Sequence, residues 1–312
     1  MKRIDFLIGM ARKLSENESV SIANDIADEE FIQKANDAQD RLQSIISNTK
    51  ETGKTFVVEK IVQGVANQDG YSINDRIFFS KSIEDIQFSY DGTLANYRPL
   101  KKLLMVNRMT DSGDWPTGYY RRRGMFFPVP ILNTSVGKFR VLYERSLDDL
   151  DKRRAKVSVV TGLNSTTFTS ITLTDTDEVS SPVNLTNIDY ICICDADGNV
   201  KAYNIPVASF DTSSKVLTPR AGFTFANDGE LIEVDDYVTF HKYTTTHSTL
   251  SDECESYLIE YMVEAIKHRD SSNDFAEQSE ILKRIEKTIV DVYKKQSAEL
   301  QEIPQLDEME WY

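Results

Sequence analysis

Amphipathic helical patterns occur only near the two ends of the sequence, and strand patterns fill the residues between them. Near the start, apolar residues recur at helical spacing from Ile4 to Leu14 and again from Asp28 to Thr52, where Gly53 is the expected stop. Near the end, helices are predicted over 251–266 and 274–297. Each apolar stripe has to be buried, most simply against the other helices, so the pattern predicts a helical bundle built from both ends of the chain.

The first strand-patterned region contains two predicted β-hairpins. Strands are predicted at Thr55–Val62, Ile83–Tyr90, Asn96–Leu104 and Lys138–Glu144. Asp91-Gly92 is a typical turn sequence for the first hairpin. A second hairpin is predicted over 118–130, with its tip at 122–124, and 147–154 is predicted to be a polar turn or a short helix.

The second strand-patterned region is rich in threonine and runs from about Val157 to Thr246. Turn sequences recur along it at short intervals, which is typical of a small β-sandwich or barrel. The sequence therefore predicts an α+β fold with two parts. Residues 1–156 and 247–312 form a core of helices and hairpins with an extended tail, and residues 157–246 form an inserted β domain.

The chain is acidic, and this constrains its partners. It has 312 residues and a formal charge of −14, from 36 Lys+Arg and 50 Asp+Glu, so a broad nucleic-acid surface is not expected. Residues 251–312 alone carry 16 acidic and 7 basic residues, a net charge of −9. Apolar runs such as 103–106 are too short to span a membrane, and the acidic residues from Asp5 onwards are not typical of a secretory signal. We expect synthesis in a bacterial cytoplasm and no membrane partner.

The sequence contains none of the common catalytic or nucleotide-binding motifs, such as GxSxG, GxxxxGK[ST], GxGxxG or HExxH. Cys192 and Cys194 lie two apart in a predicted strand, which indicates small buried side chains on one face. Asp195 to Asn199 resembles part of a calcium loop, but its glycine is misplaced and a hairpin turn is the simpler interpretation. We predict no catalytic residue, cofactor or metal; a pair of carboxylates for glycoside hydrolysis stays open as an alternative.

Two features indicate contacts with other proteins. The basic run Arg121, Arg122 and Arg123 at the predicted hairpin tip is either a solvated loop or a contact with an acidic partner surface or with nucleic acid. The acidic tail after Ala298 contains apolar and aromatic residues of the kind that anchor interfaces, unless the tail folds back onto its own core. The candidate docking residues in the tail are Ile303, Pro304, Leu306, Trp311 and Tyr312.

The order of these segments resembles the head–tail adaptor proteins of tailed bacteriophages. The resemblance begins with the long helix at 31–48, continues through the turn 68–74 and the hairpins, and ends with the helices at 250–297. It covers roughly 1–155 and 250–312 and leaves the β insert outside. One departure is Asn74, which stands where the family often has proline.

The resemblance implies a structural role in the virion. Adaptors of this kind form rings, typically of twelve copies, beneath the portal protein at one capsid vertex. The tail of each copy reaches toward the portal, the opposite face receives tail proteins, and DNA passes through during ejection. The implied partners are therefore the portal protein, neighbouring copies of the same chain, downstream tail proteins and, transiently, DNA.

A binding module is the alternative function. The Thr-, Asn- and Asp-rich β insert permits a contact with a glycan, or with a tail or receptor protein, on a virion or another surface.

Overall fold

The protein has an α+β fold of helices, a closed barrel and further small sheets. The computed structural model describes residues 2–17, 26–49, 55–73, 76–78, 83–93, 96–104, 113–122, 124–164, 166–175, 188–225, 231–267 and 280–301. None of the helices described there is long and apolar enough to cross a membrane.

Contacts divide the chain into two compact units. The first comprises residues 1–48 and 147–295, and the second includes residues 49–146. The barrel and the helices up to residue 295 thus belong to one unit, whereas the hairpin region belongs to the other. This division differs from the predicted one, in which residues 157–246 form one domain and the rest of the chain forms the other. The predicted domains concern which segments fold independently, and they stay a prediction.

The helices of the first unit bury the apolar residues that recur at helical spacing in their sequences. Their bounds are α1 Ile4–Asn17, α2 Asp28–Asn48, a 3-10 turn Asp252–Cys254, α3 Glu255–Lys267 and α4 Glu280–Gln301. Both α1 and α2 pack against α3, with Leu7, Phe31 and Leu258 fully buried. Helix α2 ends at Asn48, earlier than predicted, and Gly53 lies outside the described residues.

Helix α4 joins the others through a shared carboxylate. Glu286 accepts hydrogen bonds from the Tyr257 hydroxyl at 2.8 Å and from Arg41 Nε at 3.1 Å, which ties α4 to α3 and α2. Ser251 occupies the N-cap position of the 3-10 turn, but its hydroxyl makes no cap hydrogen bond. It accepts a hydrogen bond from Tyr293 of α4 instead, at 3.3 Å.

The threonine-rich region forms a closed six-stranded barrel, one of the two architectures predicted for it. Its strands are β10 Ala155–Thr161, β11 Ser170–Thr174, β12 Tyr190–Cys194, β13 Val200–Asp211, β14 Val216–Pro219 and β15 Tyr237–Phe240. They pair antiparallel in the order β10-β11-β14-β13-β12-β15, and β15 closes the barrel on β10. The interior is filled by buried apolar side chains such as Ile171, Ile193, Ile205 and Val238.

The second unit consists of two four-stranded sheets. One has the order β1-β8-β3-β4, and the other has the order β2-β7-β6-β5. Their bounds are β1 Val57–Gln63, β2 Tyr71–Ser72, β3 Ile83–Ser89, β4 Arg98–Pro99, β5 Lys101–Lys102, β6 Gly118–Arg122, β7 Met125–Val129 and β8 Lys138–Glu144. Both predicted hairpins are confirmed, as β3–β4 and β6–β7.

An aromatic cluster forms the core of this unit. The ring of Phe139 on β8 lies 4.9 Å from Tyr71, 5.0 Å from Phe88 and 5.1 Å from Phe126 between centroids. Tyr71 and Phe126 come from one sheet, and Phe88 and Phe139 come from the other. The hairpin region therefore has its own hydrophobic core, which the sequence patterns alone did not indicate.

Residues 147–154 contain no helix, so that alternative is wrong. Instead, β9 at Asp149–Leu150 pairs in parallel with β16 at Thr244–Thr245, which follows the last barrel strand. A helix is excluded because this backbone hydrogen-bonds to distant residues. The Asp149 and Asp151 amides donate to Tyr243 and Thr245, for example.

A buried ion pair lies at the end of this segment. Arg154 Nη2 donates to Asp151 Oδ1 at 2.6 Å, and both side chains are about 5 to 6% exposed. The second oxygen of Asp151 accepts the Phe240 amide of β15 at 2.8 Å. Arg154 also donates to Glu29 of α2 at 3.2 Å, so the pair connects the helices to the barrel.

We expect Asp151→Asn to lower the free energy of unfolding by about 3 kcal/mol, because it leaves Arg154 buried with Glu29 as its charged partner. Urea unfolding followed by far-ultraviolet circular dichroism measures this loss. The matched control is Asp37→Asn, whose 3.3 Å pair with Lys34 is exposed and should contribute less than about 1 kcal/mol. Equal losses in the two variants would contradict the role of the buried pair.

Candidate interaction site

The arginine run occupies the end of the β6–β7 hairpin. Arg121 pairs with Phe126 and Arg122 pairs with Met125, so the connection is a two-residue loop. Arg123, the first loop residue, lies outside the described residues, and Gly124 follows with a φ of +73° that suits glycine.

The described arginines do not form one cluster. Successive residues of a strand face opposite sides of the sheet, so Arg121 shares a face with buried Tyr119, and Arg122 shares the other face with Tyr120. Arg121 is half-buried, and this burial lowers the pKa of its guanidinium, whereas the charge interaction with Tyr119 opposes the change. Arg122 is exposed, so it is the described residue of the run that is best placed for a partner.

The predicted docking residues of the tail, Ile303, Pro304, Leu306, Trp311 and Tyr312, lie outside the described residues. The described part of the chain before them ends in α4 at Gln301.

A pocket in the second unit is a site that the sequence patterns did not predict. We call it the aromatic pocket; its volume is about 410 Å³. It is lined by Phe88, Tyr90, Asn96, Arg98, Pro99, Leu100, Trp115, Pro116 and Thr117. Trp115 is 42% exposed and Tyr90 is 55% exposed, and their ring centroids lie 6.3 Å apart. Large exposed aromatic side chains are typical of binding sites. The sequence shows that the aromatic residues are present, but only the fold shows that Trp115 is exposed.

One wall of the pocket is a turn held by a single carboxylate. Asp91 accepts hydrogen bonds from the Ser89 hydroxyl at 2.8 Å, the Thr93 amide at 3.0 Å and the Asn96 side-chain amide at 2.6 Å. These bonds, first that of the Thr93 amide and then that of Ser89, hold the pKa of Asp91 well below its usual range. The carboxylate therefore stays ionised and keeps Tyr90 and Asn96 in position.

Charge is divided unevenly between the two units. Residues 49–146 have 15 Lys+Arg and 10 Asp+Glu, a net charge of +5. The first unit, 1–48 with 147–295, has 21 Lys+Arg and 35 Asp+Glu, a net charge of −14. Residues 296–312 have no basic and five acidic residues, a net charge of −5. The overall acidity of the chain therefore conceals a basic segment, residues 49–146, which also carries the aromatic pocket and the hairpin.

The barrel residues considered for metal or redox chemistry have structural partners. Asp195 Oδ1 accepts the amides of Asp197 and Asn199 at 2.8 and 2.9 Å, within a turn that joins β12 to β13. Cys192 and Cys194 are fully buried, and burial raises the pKa of Cys194 to about 11. Within the described residues, no three His, Cys, Asp or Glu side chains are grouped so that they could hold a metal ion.

The chain matches neither a protein-family model nor a curated protein.

Lowering the pH should loosen the Asp91 turn only below the usual carboxyl range. Because the folded pKa lies below the ordinary value of 3.8, Asp91 stabilises the turn above that value and loses this contribution as the pH falls through the folded pKa. The amide resonance of Thr93, followed by NMR, should titrate with a midpoint below 3.8. Asp91→Asn should abolish this titration, and a wild-type midpoint at or above 3.8 would contradict the hydrogen-bonded turn.

Proposed function

We propose that this protein is a non-catalytic head–tail connector subunit of a tailed phage virion, which forms a ring beneath the portal. The observation that carries the proposal is the division of charge, with +5 on residues 49–146 and −14 on the first unit. Together with the resemblance of the motif order to phage adaptors, it supports a chain that assembles with copies of itself. Its location would be the head–tail interface of the virion.

Opposite charges on two parts of one chain, +5 on residues 49–146 and −14 on the first unit, suit a ring. A cyclic ring needs a heterologous contact, in which one surface of a copy meets a different surface of the next copy. A basic surface and an acidic surface meet these requirements, because they attract each other while like surfaces repel. In this arrangement the β6–β7 hairpin, with Arg121, Arg122 and Arg123 at its end, contacts a neighbouring copy or a tail protein.

The helices supply the body of such a ring subunit. Helices from both ends of the chain pack on one another, since α1 and α2 contact α3, and Glu286 ties α4 to α2 and α3. This packing supports the proposal of a helical bundle. In the ring, such bundles would lie side by side around a channel of excess negative charge, which keeps passing DNA from sticking.

The barrel gives less support to the alternative, a module that binds a glycan or a tail or receptor protein. Sugar rings commonly stack on exposed aromatic faces, but the aromatic side chains described in the barrel region are all buried or half-buried. Phe168, Phe210, Phe225 and Phe240 belong to its core. The exposed aromatic residues Tyr90 and Trp115 lie in the other unit.

The direct test is to mix the purified chain with the portal protein of its own genome and to examine the mixture by negative-stain electron microscopy. We expect a ring stacked on the portal, of about twelve copies. A variant without residues 303–312 should lose the stacking and keep its circular dichroism spectrum, because the proposed docking residues Ile303, Pro304, Leu306, Trp311 and Tyr312 are removed.

The two samples separate the parts of this proposal. If the whole chain forms no complex with the portal, the connector function is wrong. If the shortened variant still stacks on the portal, the function stands and the docking role of the tail is wrong.

We also expect Arg122→Glu to weaken self-association about ten-fold at low salt, because it places like charges at the proposed contact. The matched control Arg122→Gln removes the charge without reversing it, and should have a smaller effect. Analytical ultracentrifugation measures both variants. The difference between them should shrink in 0.5 M salt, where the charges are screened; identical association of the three proteins would contradict a contact at the hairpin.

A further inference from the structure

Part of the apolar surface of the aromatic pocket is exposed to solvent, and it packs on buried side chains. Phe88, on its floor, is only 6% exposed, with its ring 5.9 Å from that of Trp115, which is 42% exposed. Leu100 and Pro116 complete a buried apolar base. A tryptophan is costly to leave in water, and such aromatic groups commonly anchor an interface.

The charged residue among those that line this pocket is basic. Arg98 lines the pocket, and Lys101 and Lys102 follow Leu100 directly along the chain; all three are exposed. Two acidic residues are adjacent in sequence to lining residues: Asp91, which is held by its own turn, and Asp114, which accepts a hydrogen bond from Asn133 at 3.3 Å. A ligand with aromatic and acidic residues therefore finds both stacking surfaces and opposite charge here.

We infer that the aromatic pocket binds the acidic segment 302–312 of this protein. That segment carries Glu302, Asp307, Glu308 and Glu310 and no basic residue, so its charge of −4 complements the +5 of residues 49–146. It also carries Trp311 and Tyr312, whose rings suit offset stacking on Trp115 and Tyr90.

The segment has the length of a short peptide ligand. Helix α4 ends at Gln301, and the eleven residues that follow span up to about 36 Å when extended. Pro304 favours an extended backbone for the residue before it, which suits a peptide lying in a groove. The segment comes from the same copy or from a neighbouring one, and the experiment below distinguishes these sources.

This inference does not depend on the connector function. The pocket would hold the segment in the free subunit, and a portal would take it over on assembly. Binding to the pocket is measured without any portal, so its failure and the failure of the proposed function are separate results.

The test uses the full chain with Trp311 replaced by the photo-reactive analogue p-benzoylphenylalanine, which keeps an aromatic ring at that position. After irradiation, mass spectrometry of the digested protein identifies the cross-linked residues. We expect products on the peptides that contain Tyr90, Arg98 or Trp115. A product of monomer size assigns the segment to its own copy, and one of dimer size assigns it to a neighbour; both sizes agree with the inference.

Two pocket variants and one matched control make the result specific. Trp115→Ala should reduce the cross-link yield about ten-fold, and Arg98→Glu, an exposed substitution that should not disturb folding, should reduce it about three-fold. Ile131→Ala removes an apolar residue of similar exposure, 44%, which does not line the pocket, and should leave the yield unchanged. Cross-links outside the pocket, or equal yields in all three variants, would overturn the inference.

Discussion

The buried ion pair between Asp151 and Arg154 is the contact on which the architecture of the first unit depends. Removing two charges from water is costly unless every charged atom finds a partner. Here each Asp151 oxygen accepts hydrogen bonds, including one from the Phe240 amide of the barrel, and Arg154 reaches Glu29 of α2 while lying 5.3 Å above the Phe240 ring. These partners satisfy both charges only when helix α2, the linking segment and β15 lie together.

Neutral polar side chains fix the position of α2 on the same segment. Asn36 exchanges two hydrogen bonds with the backbone of Leu150, and Gln39, three residues later on the same helical face, donates to the Asp148 carbonyl. Gln39 in turn accepts the Ser248 hydroxyl. Because Gln39 and Ser248 are buried and Asn36 is half-buried, a shift of α2 by one turn would leave several of these groups without partners, at a cost of about 1 to 3 kcal/mol for each buried group. Apolar packing stabilises the helices, and the polar groups select one arrangement.

The parts of the fold that depend on local pattern were predictable from the sequence. The strand Lys138–Glu144 was predicted in full, because Phe139, Val141 and Tyr143 recur at every second position, and all three are buried. Residues 147–154 were not predictable in this way, because their conformation is set by pairing with residues almost 100 positions later. The burial of Cys192 and Cys194 was expected from the sequence. The segment that buries them was not: residues around Thr244 and Thr246 cover the outer side of β12.

The aromatic pocket shows a second limit of sequence patterns. Its rings come from two separated stretches, and nothing in the spacing of Phe88 and Trp115 indicates that they meet. The net positive charge of residues 49–146 can be counted from the sequence only once the boundaries of this segment are known. The candidate site could therefore be predicted at the arginine hairpin and the tail, where residues are adjacent in the chain, but not at the pocket.

The floor of the pocket is continuous with the core of the second unit. Phe88 contacts Phe139 at the centre of that core, at 5.0 Å, and Trp115 at the rim, at 5.9 Å. The same packing that stabilises the two sheets therefore also maintains the shape of the pocket, and the Asp91 turn holds its opposite wall. A preorganised site of this kind loses little conformational entropy on binding. Most of the entropy loss then comes from ordering the flexible partner. A pocket of this kind suits a short segment that has to be released again, because affinity then depends on a few aromatic and charged contacts.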